Sequence, residues 1–313
     1  MSFWLAQKSL TFVADLVNYQ SAKRMRGVNF SGLWSLDTNF AMQMHRIIQP
    51  RLATGKDPLP TSFIATHPSA QLPADRPNVM AGSSSYYRYV ADVYTSSGVC
   101  VIPIQGALSR YGLCSWGYED LAGILQAAEL SETVQAVLLK MDTPGGAVDG
   151  LKAAAEAIRA MSKPVYIWTN FCASAGYFLA SQATQIWLED QTLPAIGSIG
   201  TMMVYENRSK ALEMAGLDIQ IFRASGSIHK NLANGIEPLA PEVEADMQAM
   251  LDAAQKEFVG YVRRGRAGLL TSDEWSTGKM YGVRDGIKLG LADKVGSFQQ
   301  AFKATVQAFK QSK

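Results

Sequence analysis

The chain has 313 residues, 48% of them apolar and 18% charged, with a net charge of +2. These values fit a globular chain with a sizeable core and exclude a disordered one, and with no long basic run they exclude a phosphate-tracking nucleic-acid surface. The three cysteines, Cys100, Cys114 and Cys172, show no C-x-x-C spacing, which excludes a disulfide framework and a structural zinc site and points to a reducing, cytoplasmic compartment.

Residues 1–17 resemble a leader superficially, but Gln7, Lys8 and Asp15 interrupt the apolar run and no small-residue cleavage site follows. No later stretch approaches the roughly 18 apolar residues a membrane helix needs, so no membrane partner is expected. Residues 1–90 read as an N-terminal arm and linker. They hold a helix candidate at 38–52 with an apolar stripe of Phe40, Met44, Ile47 and Ile48, then a segment over 58–85 with five prolines. Such an arm can be an oligomer contact, a docking arm or a self-inhibitory segment removed by self-cleavage. The stripe favours a contact.

From about residue 98 short β-rich runs alternate with helical ones. Strands are expected at 99–108, 134–141, 164–169, 185–189, 199–205 and 217–224. Helices are expected at 118–130, 150–161, from about 174, at 208–215 and at 241–264. Apolar runs of this kind, buried on both faces, imply parallel strands with helical crossovers, a wound α/β fold.

Two segments could carry chemistry. Asp142-Thr143-Pro144-Gly145-Gly146 follows a strand, and its glycines leave backbone N–H groups open to hold an oxyanion. An ordinary strand–turn–helix connection fits that pentapeptide equally well. Cys172-Ala173-Ser174-Ala175-Gly176 surrounds a serine with small residues at a helix start, suited to a nucleophile, although a serine there is commonly only a cap. A nucleophilic serine needs a base. His45 and His67 fall in the arm, leaving the adjacent pair His229 and Lys230. A lysine could serve if burial brought its pKa down from ~10.4 toward ~7–8. Composition does not choose between the two.

Longer segments carry a resemblance. LLKMDTPGGAV, ASAGYFLAS and GSIGTMMV occur in the order found in the signal peptide peptidase A family, and SGSIHKNLANGIEPLAPEV, ENRSKALEMAGL and YGVRDGIKLGLADKVGSF continue the match over about 95–298. The chain most resembles the phage branch, the minor capsid protein C (prohead protease) peptidases. GLWSLDTNFAMQMHRIIQPRL is similar to a Trp-containing N-terminal segment of that branch. The resemblance implies a ClpP/crotonase-type spiral of ββα units, with a Ser-Lys peptidase domain at 91–300 and a tail at 301–313. It implies Ser174 as nucleophile, Lys230 as general base, Ser198 as a serine that orients the lysine, and Gly146 with the amide of Ala175 as the oxyanion hole. Cellular members carry a glycine where this chain has Ala175, and alanine there is usual in the phage branch.

The function implied is a serine endopeptidase acting on capsid, scaffold or portal proteins during head maturation, in the host cytoplasm or the prohead. It would be a homo-oligomer with polypeptide substrates and no cofactor or metal. The alternatives are a cellular signal-peptide or quality-control peptidase of the same family, which the missing membrane anchor disfavours, and a crotonase-type acyl-CoA enzyme, which would not require Ser174 and Lys230 together.

Overall fold

The computed structural model describes residues 34–36, 51, 68–73, 80–112, 115–193 and 195–311. Residues 1–17, the helix candidate at 38–52 apart from Arg51, and His45, His67 and Cys114 lie outside the described residues.

The architecture grows from the apolar runs. Strand β1 (Trp34–Leu36) comes from the arm, and helix α1 (Ser84–Val93) begins the body. The Ser83 side chain accepts the Tyr86 N–H at 3.2 Å and caps α1. Val90 and Ala91, at the expected end of the arm, are fully buried. Strands β2 (Thr95–Ser96) and β3 (Val99–Gln105) follow, then α2 (Tyr118–Leu130), β4 (Ala136–Thr143), β5 (Gly145–Ala147), α3 (Leu151–Arg159) and β6 (Val165–Ala173). Next come α4 (Ala175–Ala180), β7 (Gln185–Leu188), β8 (Ile196–Gly197), α5 (Ser209–Met214) and α6 (Pro241–Gly265). The chain closes with β9 (Met280–Tyr281), α7 (Val283–Lys288), β10 (Lys294–Val295) and α8 (Phe298–Gln311).

The main sheet runs β10-β7-β6-β4-β3-β2, with β8 joining the far end of β6 and β9 pairing with β8. Pairings from β3 through β4, β6 and β7 to β10 are parallel. Val137, Leu138 and Leu139 of β4 have no exposed surface. A strand buried on both faces is what the continuous apolar run predicts, and helical crossovers must supply the two covers. Helices α2, α3 and α4 pack one face. On the other, α8 lies over Val99, Leu138, Tyr166 and Trp168, with Trp168 meeting Phe298 edge-on at 5.7 Å. The expected α/β class is observed, and β4–β5–α3 forms a ββα unit of the expected kind.

Two expected strands are absent. Residues 199–205 and 217–224 form no strand of the sheet, and Val204, Leu217, Ile219 and Phe222 are exposed. Ile199 is buried in the core, but these four are not, and alternation alone cannot tell the two uses apart. The N-terminal two thirds of α6 shares this exposure: its buried residues are Phe258, Tyr261 and Val262, near the end.

A buried ion pair ties that end to the sheet. Arg266 is 1% exposed and donates to both carboxylate oxygens of Asp293 at 2.9 and 2.7 Å, and to the Gly290 carbonyl at 3.0 Å. Asp293 also accepts the Ile186 N–H of β7 at 2.7 Å. Gly290 has φ +76, and a Cβ there would lie 1.9 Å from the Leu269 carbonyl oxygen, so no other residue fits. The run Gly290-Leu291-Ala292-Asp293 is thus a clamp between α6 and β7.

Candidate active site

Ser174 sits between the end of β6 and the start of α4, with φ 54 and ψ −119. A non-glycine residue there stores on the order of 1–3 kcal/mol of strain, which surrounding contacts must hold. They do so. The Ser174 N–H donates to the Gly197 carbonyl at 2.8 Å, its own carbonyl accepts the Phe178 N–H at 2.9 Å, and its hydroxyl donates to the Gly200 carbonyl at 3.3 Å. A bulge precedes this bend: Met141 pairs with Thr169 and Asp142 with Phe171, so Asn170 is the extra residue. Beyond it β6 leaves β7 and takes β8 as partner, with Ala173 opposite Gly197.

That register sets Ser198 beside Ser174. Ser198 also has a positive φ, 53, and its N–H donates to the Lys279 carbonyl at 2.8 Å. Helix α6 braces the same segment: Gln255 donates to the Ile199 and Ser276 carbonyls at 3.3 and 2.9 Å, and the Thr201 hydroxyl donates to the Leu251 carbonyl at 3.1 Å. The sequence carried no signal for this brace, because glutamine on a long amphipathic helix reads as an ordinary solvated residue.

The turn from β4 to β5 closes in from the other side. A Cβ on Gly176 would meet Thr143 Cγ2 at 2.5 Å, so a glycine lets α4 rest on this turn. The Thr143 hydroxyl donates to the Gly106 carbonyl at 2.7 Å and accepts the Gly145 N–H at 3.1 Å. A Cβ on Gly146 would stand 1.9 Å from the Leu108 carbonyl oxygen. Ala175, as the first residue of α4, has an N–H with no intrahelical acceptor. The structure therefore brings Ser174, Ser198, Ala175 and the Gly146 turn into one region.

No hydrogen bond or ion pair joins Lys230 to that region among the described residues. Lys230 is exposed, on a turn where its N–H donates to the Ser227 carbonyl at 3.0 Å, and among the described residues its ammonium makes no hydrogen bond. His229 is exposed beside it. The turn is nonetheless held. Arg223 donates to the carbonyls of Lys230 and Asn231 at 2.6 and 3.1 Å and pairs with Glu237 at 2.9 Å, while Asn234 donates to the Asn231 carbonyl at 2.8 Å. Pairing with Arg223 holds the Glu237 carboxyl below its ordinary range. Cys172, two residues before the serine, is fully buried, and burial pushes its thiol well above the ordinary range, so no reactive thiolate competes with the hydroxyl. Among the described residues no group of His, Cys, Asp and Glu could hold a metal ion, and no helix is long and apolar enough to cross a membrane.

Against known proteins, the sequence profile of peptidase family S49 matches residues 157–312, which include Ser174, Ser198 and Lys230. Over those residues the chain is a member of peptidase family S49. It is 33% identical to the capsid assembly protease C of Escherichia phage lambda over 227 residues, 69% of this chain and 50% of that protein. It is 31% identical to the head-tail preconnector protein GP5 of Enterobacteria phage P21 over 240 residues, 73% of this chain and 47% of that protein. The chain spans about half the length of these relatives. Among solved structures, the 1510-N membrane protease specific for a stomatin homolog from Pyrococcus horikoshii aligns with 66% of this chain and 77% of its own, at 17% identity and a TM-score of 0.35.

Proposed function

We propose that this S49 chain is a serine endopeptidase in which Ser174 is the nucleophile and Lys230 the general base. The observation that carries the reading is Ser174 itself, a buried serine held at φ 54 between a strand end and a helix start, within a region that also holds the Gly146 turn. A structural cap would need neither the strained backbone nor a glycine at 146. Neutral Lys230 takes the hydroxyl proton as Ser174 attacks the scissile carbonyl, and the amides of Gly146 and Ala175 receive the oxyanion. The protonated lysine then donates to the leaving amine, and water hydrolyses the acyl-enzyme. Ser198, beside Ser174, orients the lysine.

Closing this dyad requires the segment carrying Lys230 to fold over Ser174, of its own chain or of a neighbouring copy. The exposed Leu217, Phe222 and Ile228 on the same segment favour burial in an assembly of copies. The similarity to the lambda and P21 proteins favours capsid, scaffold or portal polypeptides as substrates. Incubation with a denatured, fluorescently labelled polypeptide tests the reading. The wild type should cleave it, and Ser174→Ala, with an unchanged circular dichroism spectrum, should not. Cleavage by the alanine variant would refute the nucleophile assignment.

A further inference from the structure

Strand β1, contributed by the arm, pairs antiparallel with β5, placing Trp34 opposite Ala147, Ser35 opposite Gly146 and Leu36 opposite Gly145. The opposite edge of β5 is already used. The Leu108 N–H donates to the Gly145 carbonyl at 2.8 Å, and the Ala147 N–H donates to the Leu108 carbonyl at 2.9 Å. In a trans peptide the N–H points away from the carbonyl of the same unit. The Gly146 N–H therefore points away from Leu108, toward the edge on which Ser35 lies.

This direction matters because an oxyanion donor must face the carbonyl under attack, at about 2.7–3.1 Å. A scissile peptide bound to the Gly146 amide and a β1 strand paired at Gly146 need the same edge. We infer that residues Trp34–Leu36 act as an intramolecular strand that closes the substrate edge of β5 and holds the peptidase inactive until displaced by an extended polypeptide. The inference rests on the reading of Ser174 and Gly146 given above. Three backbone pairs make a short strand, and an incoming polypeptide that pairs along more of the edge can displace it.

Ser35→Pro tests this, because proline removes the N–H at 35 and is disfavoured inside a paired strand. Two readouts are taken on the full chain: hydrogen exchange at the Gly146 amide, and the rate at which a fluorophosphonate labels Ser174. The variant should lose protection at Gly146 and label at least about 10-fold faster than wild type, and a synthetic peptide of residues 31–40 added in trans should reverse both changes. Equal Gly146 exchange in the two proteins overturns the pairing. Equal labelling rates with protection lost overturn the inhibitory role. Absence of labelling in both proteins, with Gly146 exchange behaving as expected, contradicts the nucleophile assignment and leaves β1 no catalysis to inhibit.

Discussion

Replacing Lys230 with alanine should lower kcat/KM for polypeptide cleavage by at least about 10³-fold, while His229→Ala should stay within about 3-fold of wild type. A nucleophile and its base act as a unit, so losing the base costs about as much as losing the serine. The double variant Ser174→Ala with Lys230→Ala should therefore be no worse than either single one. Lys230→His should not rescue, because imidazole is shorter than the lysine stem and its nitrogen cannot reach the same point. The prediction discriminates between adjacent exposed residues on one turn, so a general disturbance of that turn would affect both variants alike. An inactive His229→Ala beside an active Lys230→Ala would reverse the assignment.

The largest effect on stability is expected from Asp293→Ala. Arg266 is almost wholly enclosed, and Asp293 holds both its terminal nitrogens. Removing the carboxylate leaves an uncompensated buried charge and strips the Ile186 N–H of its acceptor. Breaking a buried pair from one side costs about 3–5 kcal/mol. Urea denaturation should show the midpoint falling by a matching amount with the slope unchanged. The double variant Arg266→Met with Asp293→Ala should recover much of that loss, because the unpaired charge is gone. A loss below about 1 kcal/mol for the single variant would mean that water reaches Arg266 freely and the pair contributes little.

The sheet was legible in the sequence wherever apolar runs were buried on both faces. The strands expected at 134–141 and 164–169 appear as β4 and β6, β4 displaced by two residues toward the site and β6 extended toward it. The extension matters, because the bulge at Asn170 and the switch from β7 to β8 lie beyond the runs that hydrophobicity marks. Legibility failed over 199–205 and 217–224, although the helix expected between them at 208–215 is present as α5. There Val204, Leu217 and Phe222 carry the composition of strands, yet they face solvent in a single chain. A one-dimensional pattern records that a residue avoids water without saying which surface removes it. The site was half legible. Small residues around Ser174 and the paired glycines at 145 and 146 mark a crowded turn: a Cβ on Gly176 would meet Thr143, one on Gly146 would meet the Leu108 carbonyl, and Gly145 has φ +94. The brace from Gln255 and the hold of Arg223 and Glu237 on the Lys230 turn depend on partners at least seven residues away, for which the sequence has no local signature.

The central claim is that a lysine activates Ser174. The most direct measurement is the rate of fluorophosphonate labelling at Ser174, identified by mass spectrometry, as a function of pH in the wild type and in Lys230→Ala. With a neutral amine as base, the wild-type rate should rise with pH, because only the unprotonated form can accept the serine proton. The Lys230→Ala rate should be lower by orders of magnitude and lack that rise. A wild-type profile that is flat from mild acid to mild base, or one that Lys230→Ala reproduces, would contradict the account.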